Sequence, residues 1–359
     1  MLEIENFFRN KKVLITGHTG FKGSWLSIWL DYLGANISGI SLNPKSKKDL
    51  FVVGNVKSLV NDFRGDVANK EFIFKVIEDI NPDIIFHLAA QSVVAVSYDD
   101  PLQTFKSNTF GTTSVLESMR RASYQGAAVI VTSDKCYKNS NKPEPYKEND
   151  PLGGFDPYSA SKAAAELVFT SYFESFFRES SVNLASARAG NVIGGGDRTV
   201  NRVMVDLIHS ATMKSDFSMR MPNATRPWQH VIEPVFGYIG LAGQLASTDG
   251  YKISGESYNF GPSIEDAKEV RYVAQKAQSY ARTLGWNFSI SEESNNLFHE
   301  SDLLALDTTK AKTELSWNQT IRLDKAIEMT LEWEFQVENG DSPKRASIDQ
   351  IEWFLDARR

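Results

Sequence analysis

The sequence is poor in the residues that build disulfide frameworks and metal sites. Cys136 is the single cysteine, so no disulfide can form within the chain, and this favours a reducing compartment. The five histidines do not recur at the spacing of metal ligands, which disfavours a metal enzyme. No uninterrupted apolar run reaches membrane-spanning length, and Met1–Lys12 is polar, unlike a secretory signal. We therefore expect a cytoplasmic protein that does not insert into a membrane.

An excess of positive charge is also absent. The net charge is −6, and Lys and Arg are scattered, so we do not expect nucleic acid as a partner. A composition of 42% hydrophobic and 23% charged residues is that of an ordinary globular protein. The 359 residues allow roughly two domains and a sizeable core. Because there are no repeats, low-complexity tracts or obvious linkers, the two domains should pack tightly together.

Short apolar strands alternate with helices at least five times in the first half of the chain. This pattern predicts an α/β fold with a doubly wound parallel Rossmann sheet, whose ligand lies across the carboxyl ends of the strands. After a strand at 182–187 the alternation fades, which predicts a smaller mixed α/β domain. We predict a dinucleotide-binding domain at 1–187, rejoined by part of 229–262, and a substrate domain at 188–359. The other predicted strands are Lys12–Thr16, Asn36–Ser41, a third closed by Asp66-Val67, Asp83–Leu88 and Val129–Thr132.

A glycine-rich loop follows the first predicted strand and precedes a helix. Its residues are Gly17-His18-Thr19-Gly20-Phe21-Lys22-Gly23. The glycines permit a tight turn and let backbone N–H groups approach a pyrophosphate at the helix N-terminus. The spacing differs from G-x-G-x-x-G, and such turns also occur without ligands. Lys22 either lies near the phosphates or is solvated.

Three further strand ends are candidates for cofactor contacts. An acid that holds the adenosine ribose is expected after the second strand, but Ser41-Leu42-Asn43 stands there. The choice between NAD and NADP as the cofactor therefore stays open. Asp66-Val67 is a predicted adenine contact, with an ordinary turn aspartate as the alternative. The segment Ala89-Ala90-Gln91 begins with two small residues, which let a cofactor lie against the backbone. His87, within its strand, is predicted to be a core histidine.

The strongest chemical signal lies between Val129 and Lys162. A buried strand ends in Ser133-Asp134-Lys135, and Tyr158 and Lys162 stand four apart in a helix-favouring segment, on one helix face. At about 4 Å and an effective dielectric near 20, a unit charge contributes roughly 4 kcal/mol. That would lower the pKa of the phenol from about 10 towards about 7. Tyr158 would then accept a proton from a hydroxyl at neutral pH.

These motifs resemble the extended short-chain dehydrogenase/reductases that act on nucleotide sugars. The resemblance covers the chain from about Lys12 to Trp317. The segments Ser-Asp-Lys-Cys-Tyr and Thr-Arg-Pro-Trp-Gln-His are similar to those of the 4,6-dehydratases that take CDP-glucose, and the related dTDP-glucose dehydratases carry glutamate at the position of Lys135. The resembling segments are Gly17–Gly23, His87–Gln91, Thr132–Tyr137, Tyr158–Lys162, Ala187–Asp197 and Thr225–Val231.

The resemblance implies an oxidation, an elimination and a reduction with one retained NAD, leaving a 4-keto-6-deoxy sugar. Tyr158 would take the C4 hydroxyl proton, Ser133 would hydrogen-bond that oxygen, and Lys162 would hold the cofactor ribose. Lys135 would remove the C5 proton, while Asp134 would protonate the departing C6 hydroxyl. A neutral lysine beside a protonated aspartate costs roughly 9 kcal/mol from reference pKa values. Our hypothesis is that desolvation by the sugar, with Lys162 and NAD⁺ nearby, lowers the pKa of Lys135.

The same resemblance implies the binding residues. Arg226 and Asn191 match diphosphate contacts, and Arg202 falls where relatives carry a basic residue. Arg220 would stack on the base and Glu300 would accept from a cytosine amino group, with solvated surface residues as the alternative for both. The cofactor set is Gly17, His18, Gly20, Phe21, Lys22, Gly23, Ser41, Asp66, Val67, Ala89, Ala90, Gln91, Asn108, Tyr158 and Lys162.

The implied partners are CDP-glucose and a second copy of the chain. Helices around Leu102–Arg121 and Ser159–Phe177 would form the interface of a homodimer or of a dimer of dimers. The implied process is deoxysugar synthesis for O-antigen and lipopolysaccharide. The amphipathic helix near Leu323–Phe335 is expected to be a surface helix.

Three other interpretations stay open at this point. A nucleotide-sugar 4-epimerase would share the fold, Ser133, Tyr158 and Lys162, but would not need Asp134-Lys135. A 4,6-dehydratase of another nucleotide sugar would share all of them. A non-catalytic nucleotide sensor is disfavoured because such proteins often lose the tyrosine or the lysine, and both are present here.

Overall fold

Alternating apolar side chains give the central strands two buried faces. In the first strand, Val13 and Ile15 belong to one apolar cluster, while Leu14 belongs to a second cluster on the opposite face of the sheet. Ile84 and Ile85 divide in the same way in the fourth strand. The computed structural model describes residues 6–140, 144–292 and 304–359. Burial on both faces is what the near-continuous apolar strands predict for a parallel sheet covered by helices.

Seven parallel strands form the central sheet, in the order β11-β6-β5-β4-β1-β2-β3. The order reverses between β1 and β4, and the carboxyl ends on either side of that point make a crevice for a ligand. The predicted doubly wound parallel sheet is confirmed. Its strands are β1 (Lys12–Thr16), β2 (Asn36–Ser41), β3 (Val60–Arg64), β4 (Ile84–His87), β5 (Ala127–Val131), β6 (Asn183–Ala189) and β11 (Ser257–Phe260).

Helices cover both faces of this sheet. Apolar residues of α3, α6 and α7 pack on one face, and those of α1 and α9 pack on the other. The helices are α1 (Phe21–Tyr32), α2 (Leu50–Val53), α3 (Lys70–Ile80), α4 (Val94–Asp99), α5 (Pro101–Phe105), α6 (Gly111–Arg121), α7 (Pro157–Tyr172), α8 (Val203–Met213), α9 (Ile232–Leu245), α10 (Val270–Thr283), α11 (Thr309–Leu315), α12 (Leu323–Glu338) and α13 (Pro343–Ala357). No helix within the described ranges is both long and apolar enough to cross a membrane.

Short strand pairs and helices make up most of the second half. The pairs are β7 with β10 and β8 with β13, both parallel, and β9 with β12, antiparallel. β11 lies in the central sheet. The domain boundaries, with part of 229–262 rejoining the first domain, stay a prediction. The remaining strands are β7 (Val192–Ile193), β8 (Phe217–Met219), β9 (Thr225–Pro227), β10 (Gln229–His230), β12 (Ala267–Glu269) and β13 (Ile290–Glu292).

Three local expectations are corrected. β3 ends at Arg64, because Asp66 accepts a hydrogen bond from Ala68 N (2.9 Å) and so closes a turn rather than a strand. A π-helical turn at Lys106–Phe110 interrupts the helix that was expected to run unbroken from Leu102 to Arg121. Helix α12 is not a surface helix, because half of its residues, Trp333 among them, are buried under α10 and α13.

Candidate active site

The glycine loop packs directly against the end of β4. Gly17 has a φ of +82°, and a Cβ there would lie 2.7 Å from Ala89 N. A Cβ on Gly23 would lie 2.2 Å from Gly17 O, so neither position accepts a side chain. Gly20 is the N-cap of α1 and offers no side-chain cap to the first N–H groups of that helix. A tight loop that presents backbone N–H groups at a helix N-terminus suits a pyrophosphate.

At the carboxyl end of β2, polar side chains take the place of the expected acid. Ser41 Oγ and Thr19 Oγ1 are 2.6 Å apart, so the two hydroxyls satisfy each other. His18 is turned beneath β2, where its Nε2 lies 2.9 Å from Asp62 Oδ1 and its ring covers the place that a Cβ of Gly39 would fill. Burial lowers the pKa of His18, although hydrogen bonding to Asp62 opposes that shift. Asp62 belongs to no motif in the sequence, so its contact with His18 was not predicted.

The predicted adenine contact lies in the turn after β3. Asp66 is half-buried, and its Oδ2 lies 3.3 Å from Lys106 Nζ. Val67 is buried, and its Cγ2 occupies the space beside Gly111, where a Cβ would lie 2.8 Å away. The turn and the π-helical segment therefore pack together beside the crevice.

Asn108 joins the loop after β4 to the helix that carries Tyr158. Its Oδ1 accepts from Gln91 N (2.8 Å), and its Nδ2 donates to Gln91 O (3.0 Å) and Ser161 Oγ (2.8 Å). Asn108 is almost fully buried, so these bonds replace its hydration. The predicted cofactor residue Asn108 thus aligns two parts of the crevice, with Ala89 and Ala90 half-buried between them.

Ser133, Asp134 and Tyr158 lie together after the end of β5. Ser133 Oγ donates to Asp134 Oδ1 (2.9 Å) and lies close enough to the phenol of Tyr158 to affect its pKa. All three side chains are buried, as is that of Lys162 one turn along α7. Asp134 begins a short 3₁₀ helix, Asp134–Cys136, in which Lys135 is half-buried. The predicted convergence of these residues at one sheet edge is borne out by the geometry.

The predicted pKa of Tyr158 is wrong in direction. Burial raises the pKa of Tyr158 to about 12, although the neighbouring hydroxyl of Ser133 acts to lower it. The expected lowering towards about 7 counted only the charge of a nearby ammonium and left out the cost of burying a phenolate. Burial also lowers the pKa of Lys162 to about 8, although Glu166 opposes that change. Desolvation therefore outweighs charge attraction at both residues.

Positive charges surround the buried carboxyl of Asp134. Burial raises the pKa of Asp134, and the nearby charges of Lys135 and Lys22 oppose that rise. Lys22 of the glycine loop is half-buried and feels Arg202 and Lys162 as well as Asp134. Burial first, and then the charge of Arg202, lowers the pKa of Lys22 to about 7. Lys22 therefore lies in the catalytic crevice rather than in solvent.

The five predicted substrate residues differ in their surroundings. Arg202, just before α8, binds Asp197 Oδ2 (2.9 Å) and lies close enough to Tyr158 for its charge to favour the phenolate. Asn191 and Arg226 are half-buried on the segments around β7 and β9. Arg220 is exposed and pairs with Asp206 (3.4 Å), an arrangement typical of a surface ion pair. Glu300 lies outside the described residues.

A buried ion pair that the sequence analysis missed underlies the site. Glu166 Oε2 accepts from Arg188 Nη2 (2.6 Å) and from Ser186 Oγ (2.9 Å), and Thr132 Oγ1 donates to its other oxygen. Arg188 Nη1 also donates to Tyr137 OH (2.8 Å). Thr132 and Tyr137 stand on either side of the segment that carries Asp134 and Lys135. The Glu166–Arg188 ion pair therefore contacts both ends of that segment. Glu166 stands four residues after Lys162 on α7, and that spacing was the signal available in the sequence.

The loop at Gly194-Gly195-Gly196 packs between α1 and α12. Trp25 Nε1 donates to Gly195 O (3.0 Å), and a Cβ on Gly195 would lie 2.1 Å from the Trp333 ring. Glu334 accepts from Gly196 N (2.8 Å) and binds Arg198 through both oxygens (2.6 and 2.7 Å). Helix α12 therefore positions the loop that leads to Arg202. No signal in the sequence pointed to this contact.

A doubly wound sheet with a glycine loop after β1, a serine after β5 and a Tyr-x-x-x-Lys pair on α7 defines a short-chain dehydrogenase/reductase. The family model described as GDP-mannose 4,6 dehydratase matches residues 14–330. The CDP-glucose 4,6-dehydratase of Salmonella typhimurium is 39% identical over 358 residues, which cover 98% of each chain. The chain belongs to this dehydratase family, and the resemblance inferred from its motifs is confirmed.

Solved structures show the same fold at lower sequence identity. UDP-glucose 4-epimerase of Thermotoga maritima, solved with UDP-glucose, has a TM-score of 0.78 at 19% identity, over 92% of this chain and all of the other. dTDP-glucose 4,6-dehydratase of Streptomyces venezuelae, solved with NAD, has a TM-score of 0.74 at 20% identity, over 91% of this chain and 97% of the other. The fold is therefore common to epimerases and dehydratases, and the site must distinguish them.

Proposed function

We propose that the chain converts CDP-glucose to CDP-4-keto-6-deoxyglucose and water, as an NAD-dependent hydro-lyase. The observation that carries this proposal is the similarity, over 98% of both chains, to the Salmonella CDP-glucose 4,6-dehydratase. The site supports it independently, because an acid with a raised pKa, Asp134, lies beside the oxidation residues Ser133 and Tyr158. A 4-epimerase would have no use for that acid.

The crevice residues fit a bound NAD. The glycine loop is closed tightly against Ala89, where a Cβ on Gly17 would clash, and its backbone N–H groups at the N-terminus of α1 suit phosphates. The turn at Asp66-Val67 and the segment Ala89–Gln91 would line its adenine and nicotinamide halves, and Lys162 would hold the ribose. NAD supplies a hydride acceptor for C4 of the sugar and later a hydride donor for C6, so the sugar undergoes no net change in oxidation state.

Proton transfer at C4 is assigned to Tyr158, with Ser133 as its hydrogen-bonding partner. The C4 hydroxyl gives its proton to the phenolate as the C–H bond at C4 breaks, which leaves a ketone. Burial raises the pKa of Tyr158 to about 12 even though Ser133 and the guanidinium of Arg202 act to lower it. Further positive charge must therefore favour the phenolate during the reaction, and a bound NAD⁺ would bring such a charge.

The elimination is assigned to Lys135 and Asp134. The C4 ketone acidifies the C5 proton, which moves to the amine of Lys135, and the C5–H electron pair becomes the C5–C6 double bond. The C6–O bond breaks as Asp134 delivers its proton to the departing hydroxyl, which leaves as water. Burial raises the pKa of Asp134, which is the direction that a proton donor at neutral pH requires. The neutral state of Lys135 stays a prediction.

The substrate diphosphate is assigned to Arg202, Arg226 and Asn191. Guanidinium groups match the geometry and charge of a diphosphate. Arg202 lies close to Tyr158 and Lys22, so it belongs to the crevice, and Arg226 lies on β9 next to Pro227, which faces Gly190. Base recognition by Arg220 and Glu300 stays a prediction from the family resemblance.

We also propose a homodimer that works in the cytoplasm, in deoxysugar synthesis for O-antigen and lipopolysaccharide. Large apolar side chains are exposed along the two helical segments expected at the interface, on α5 and the π-helical turn and on α7 with its continuation. A second copy would cover them. They are Leu102, Phe110, Leu167 and Phe176.

The proposal is tested by incubating the purified protein with NAD⁺ and CDP-glucose in deuterated water, followed by mass spectrometry. We expect a product lighter by one water that carries one deuterium at C5. An isomer of unchanged mass would instead indicate a 4-epimerase. Turnover of dTDP-glucose or GDP-mannose, but not of CDP-glucose, would retain the dehydratase and overturn the base assignment.

A further inference from the structure

One glycine lies directly against the carboxyl group of Asp134. Gly190 follows the last residue of β6, at the carboxyl edge of the sheet where the site is built. A Cβ placed on Gly190 would lie 2.8 Å from Asp134 Oδ2 and 3.4 Å from Asp134 Cγ. The next neighbour, Pro227 Cγ, would be 3.6 Å away, which is an ordinary contact. The carboxyl group is therefore the one close obstacle to a side chain at this position.

The backbone of Gly190 does not itself require glycine. Six glycines of the described chain have a positive φ, and Gly190 is not among them. Alanine is thus compatible with its φ, and the cost of a methyl group there falls on what it touches. This separates Gly190 from Gly17, where a positive φ and backbone atoms of Ala89 both exclude a side chain.

The two oxygens of Asp134 have different surroundings. Oδ1 accepts a hydrogen bond from Ser133 Oγ (2.9 Å), which ties that oxygen to the oxidation residues. Oδ2 is the oxygen beside Gly190. If Oδ2 is pushed away, the carboxyl group must rotate about its side-chain torsions, and the bond from Ser133 must bend or break. The carboxyl is nearly buried, so it has little room in which to turn.

We propose that Gly190 is a positioning residue for the elimination step, because its missing side chain is what lets Asp134 Oδ2 face the C6 hydroxyl of the sugar. This inference rests on the proposed function, in which Asp134 protonates that hydroxyl. A methyl group at residue 190 displaces the acid and disturbs its bond from Ser133, but leaves Tyr158 and Lys162 on α7 in place. The C5–C6 elimination is then impaired far more than C4 oxidation.

The test compares Gly190→Ala with wild type and with Gly240→Ala. A Cβ on Gly240 would meet nothing within 4 Å, so that variant makes the same chemical change in open space. Single-turnover reactions with CDP-glucose give the oxidation rate from the absorbance of the reduced nicotinamide and the elimination rate from the water-lighter product. We expect elimination to fall roughly 100-fold in Gly190→Ala, the lower end of what a general acid contributes. We expect oxidation to change far less, and Gly240→Ala to match wild type.

A second measurement does not depend on turnover. Urea unfolding is followed for Gly190→Ala, Asp134→Ala and the double variant. Removing the carboxyl makes space for the methyl group, so Gly190→Ala should destabilise the wild-type background and cost little in the Asp134→Ala background. If Gly190→Ala does not fold, the double variant should fold.

The outcomes separate this inference from the proposed function. Wild-type protein that releases no water-lighter product would overturn the function itself. Wild-type turnover with an unimpaired Gly190→Ala, or with oxidation and elimination slowed equally, would overturn the role of Gly190. Equal destabilisation by Gly190→Ala with and without the Asp134 carboxyl would also overturn it.

Discussion

Replacing Arg188 with methionine should be among the most damaging single changes to the stability of this protein. The guanidinium is almost fully buried, at 3% exposure, and Glu166 is not exposed at all. Arg188→Met keeps a long side chain but removes the donor that lies 2.6 Å from Glu166 Oε2. The carboxylate would then retain only its bonds from hydroxyl groups such as that of Ser186. A buried negative charge would be left without a counter-ion.

The magnitude follows from how buried ion pairs respond when one partner is lost. Breaking such a pair typically costs about 3–5 kcal/mol, because the remaining charge cannot be rehydrated. We therefore expect the free energy of unfolding at neutral pH to fall by about that amount, as measured by urea unfolding followed by circular dichroism. The double variant Glu166→Gln/Arg188→Met should lose less than the sum of the single variants, by about 0.5–3 kcal/mol.

Arg345→Met provides the matched control. Arg345 pairs with Asp349 and Glu352 on α13, but its side chain is 61% exposed, so water replaces the lost partners. We expect this variant to unfold close to wild type. If Arg188→Met were no more destabilising than Arg345→Met, the idea that the buried Arg188–Glu166 ion pair stabilises the structure beneath the site would be refuted.

Three further predictions concern the site. Lys135→Glu should change the pH profile of elimination, because carboxyl and amine groups have ordinary pKa values of about 4.3 and 10.4, and an unchanged rate and profile would show that the amine is not required. Glu334→Gln should raise KM for the nucleotide sugar with little change in kcat, because it weakens the contacts that hold the loop leading to Arg202. The exposed Glu338→Gln on the same helix serves as its control. Equal KM values for the two variants would contradict this prediction. Burial raises the pKa of Glu166, but its ion pair and hydrogen bonds outweigh this and lower it overall. The native state then binds fewer protons than the unfolded chain below about pH 4, so the stability advantage of wild type over Glu166→Gln should shrink as the pH falls through that range, and an advantage independent of pH would argue against it.

Local sequence patterns were enough to predict much of the sheet and its helices. The bounds of β1 and β2 agree with those predicted from the sequence, because their apolar runs are local features of the chain. The placement of Ser133 and Tyr158 near each other also followed, since parallel strands bring their carboxyl ends to one edge of the sheet. These features depend on neighbours in sequence or on the topology alone.

Contacts between distant segments were not predictable in the same way. Arg188 and Glu166 are 22 residues apart, and Arg198 and Glu334 are 136 apart. Each is an ordinary charged residue in the sequence, and its burial becomes evident only once the sheet and α12 are in place. The same reason explains the error at Tyr158, because a charge was placed at an assumed distance while the burial of the phenol was unknown.

The site combines two requirements that a single environment does not satisfy. Burial raises the pKa of both Asp134 and Tyr158, which helps the acid hold its proton but opposes formation of the phenolate. Positive charge must therefore act on Tyr158 more than on Asp134. Arg202 acts on Tyr158, whereas Asp134 faces Lys135 and Lys22, which both favour its ionised form. Burial lowers the pKa of Lys22 to about 7, so Lys22 is only partly charged at neutral pH, and in the proposed elimination Lys135 is neutral while Asp134 holds its proton. With Lys135 neutral and Lys22 only partly charged, one crevice allows both protonation states, which a dehydratase needs and a simple oxidoreductase does not.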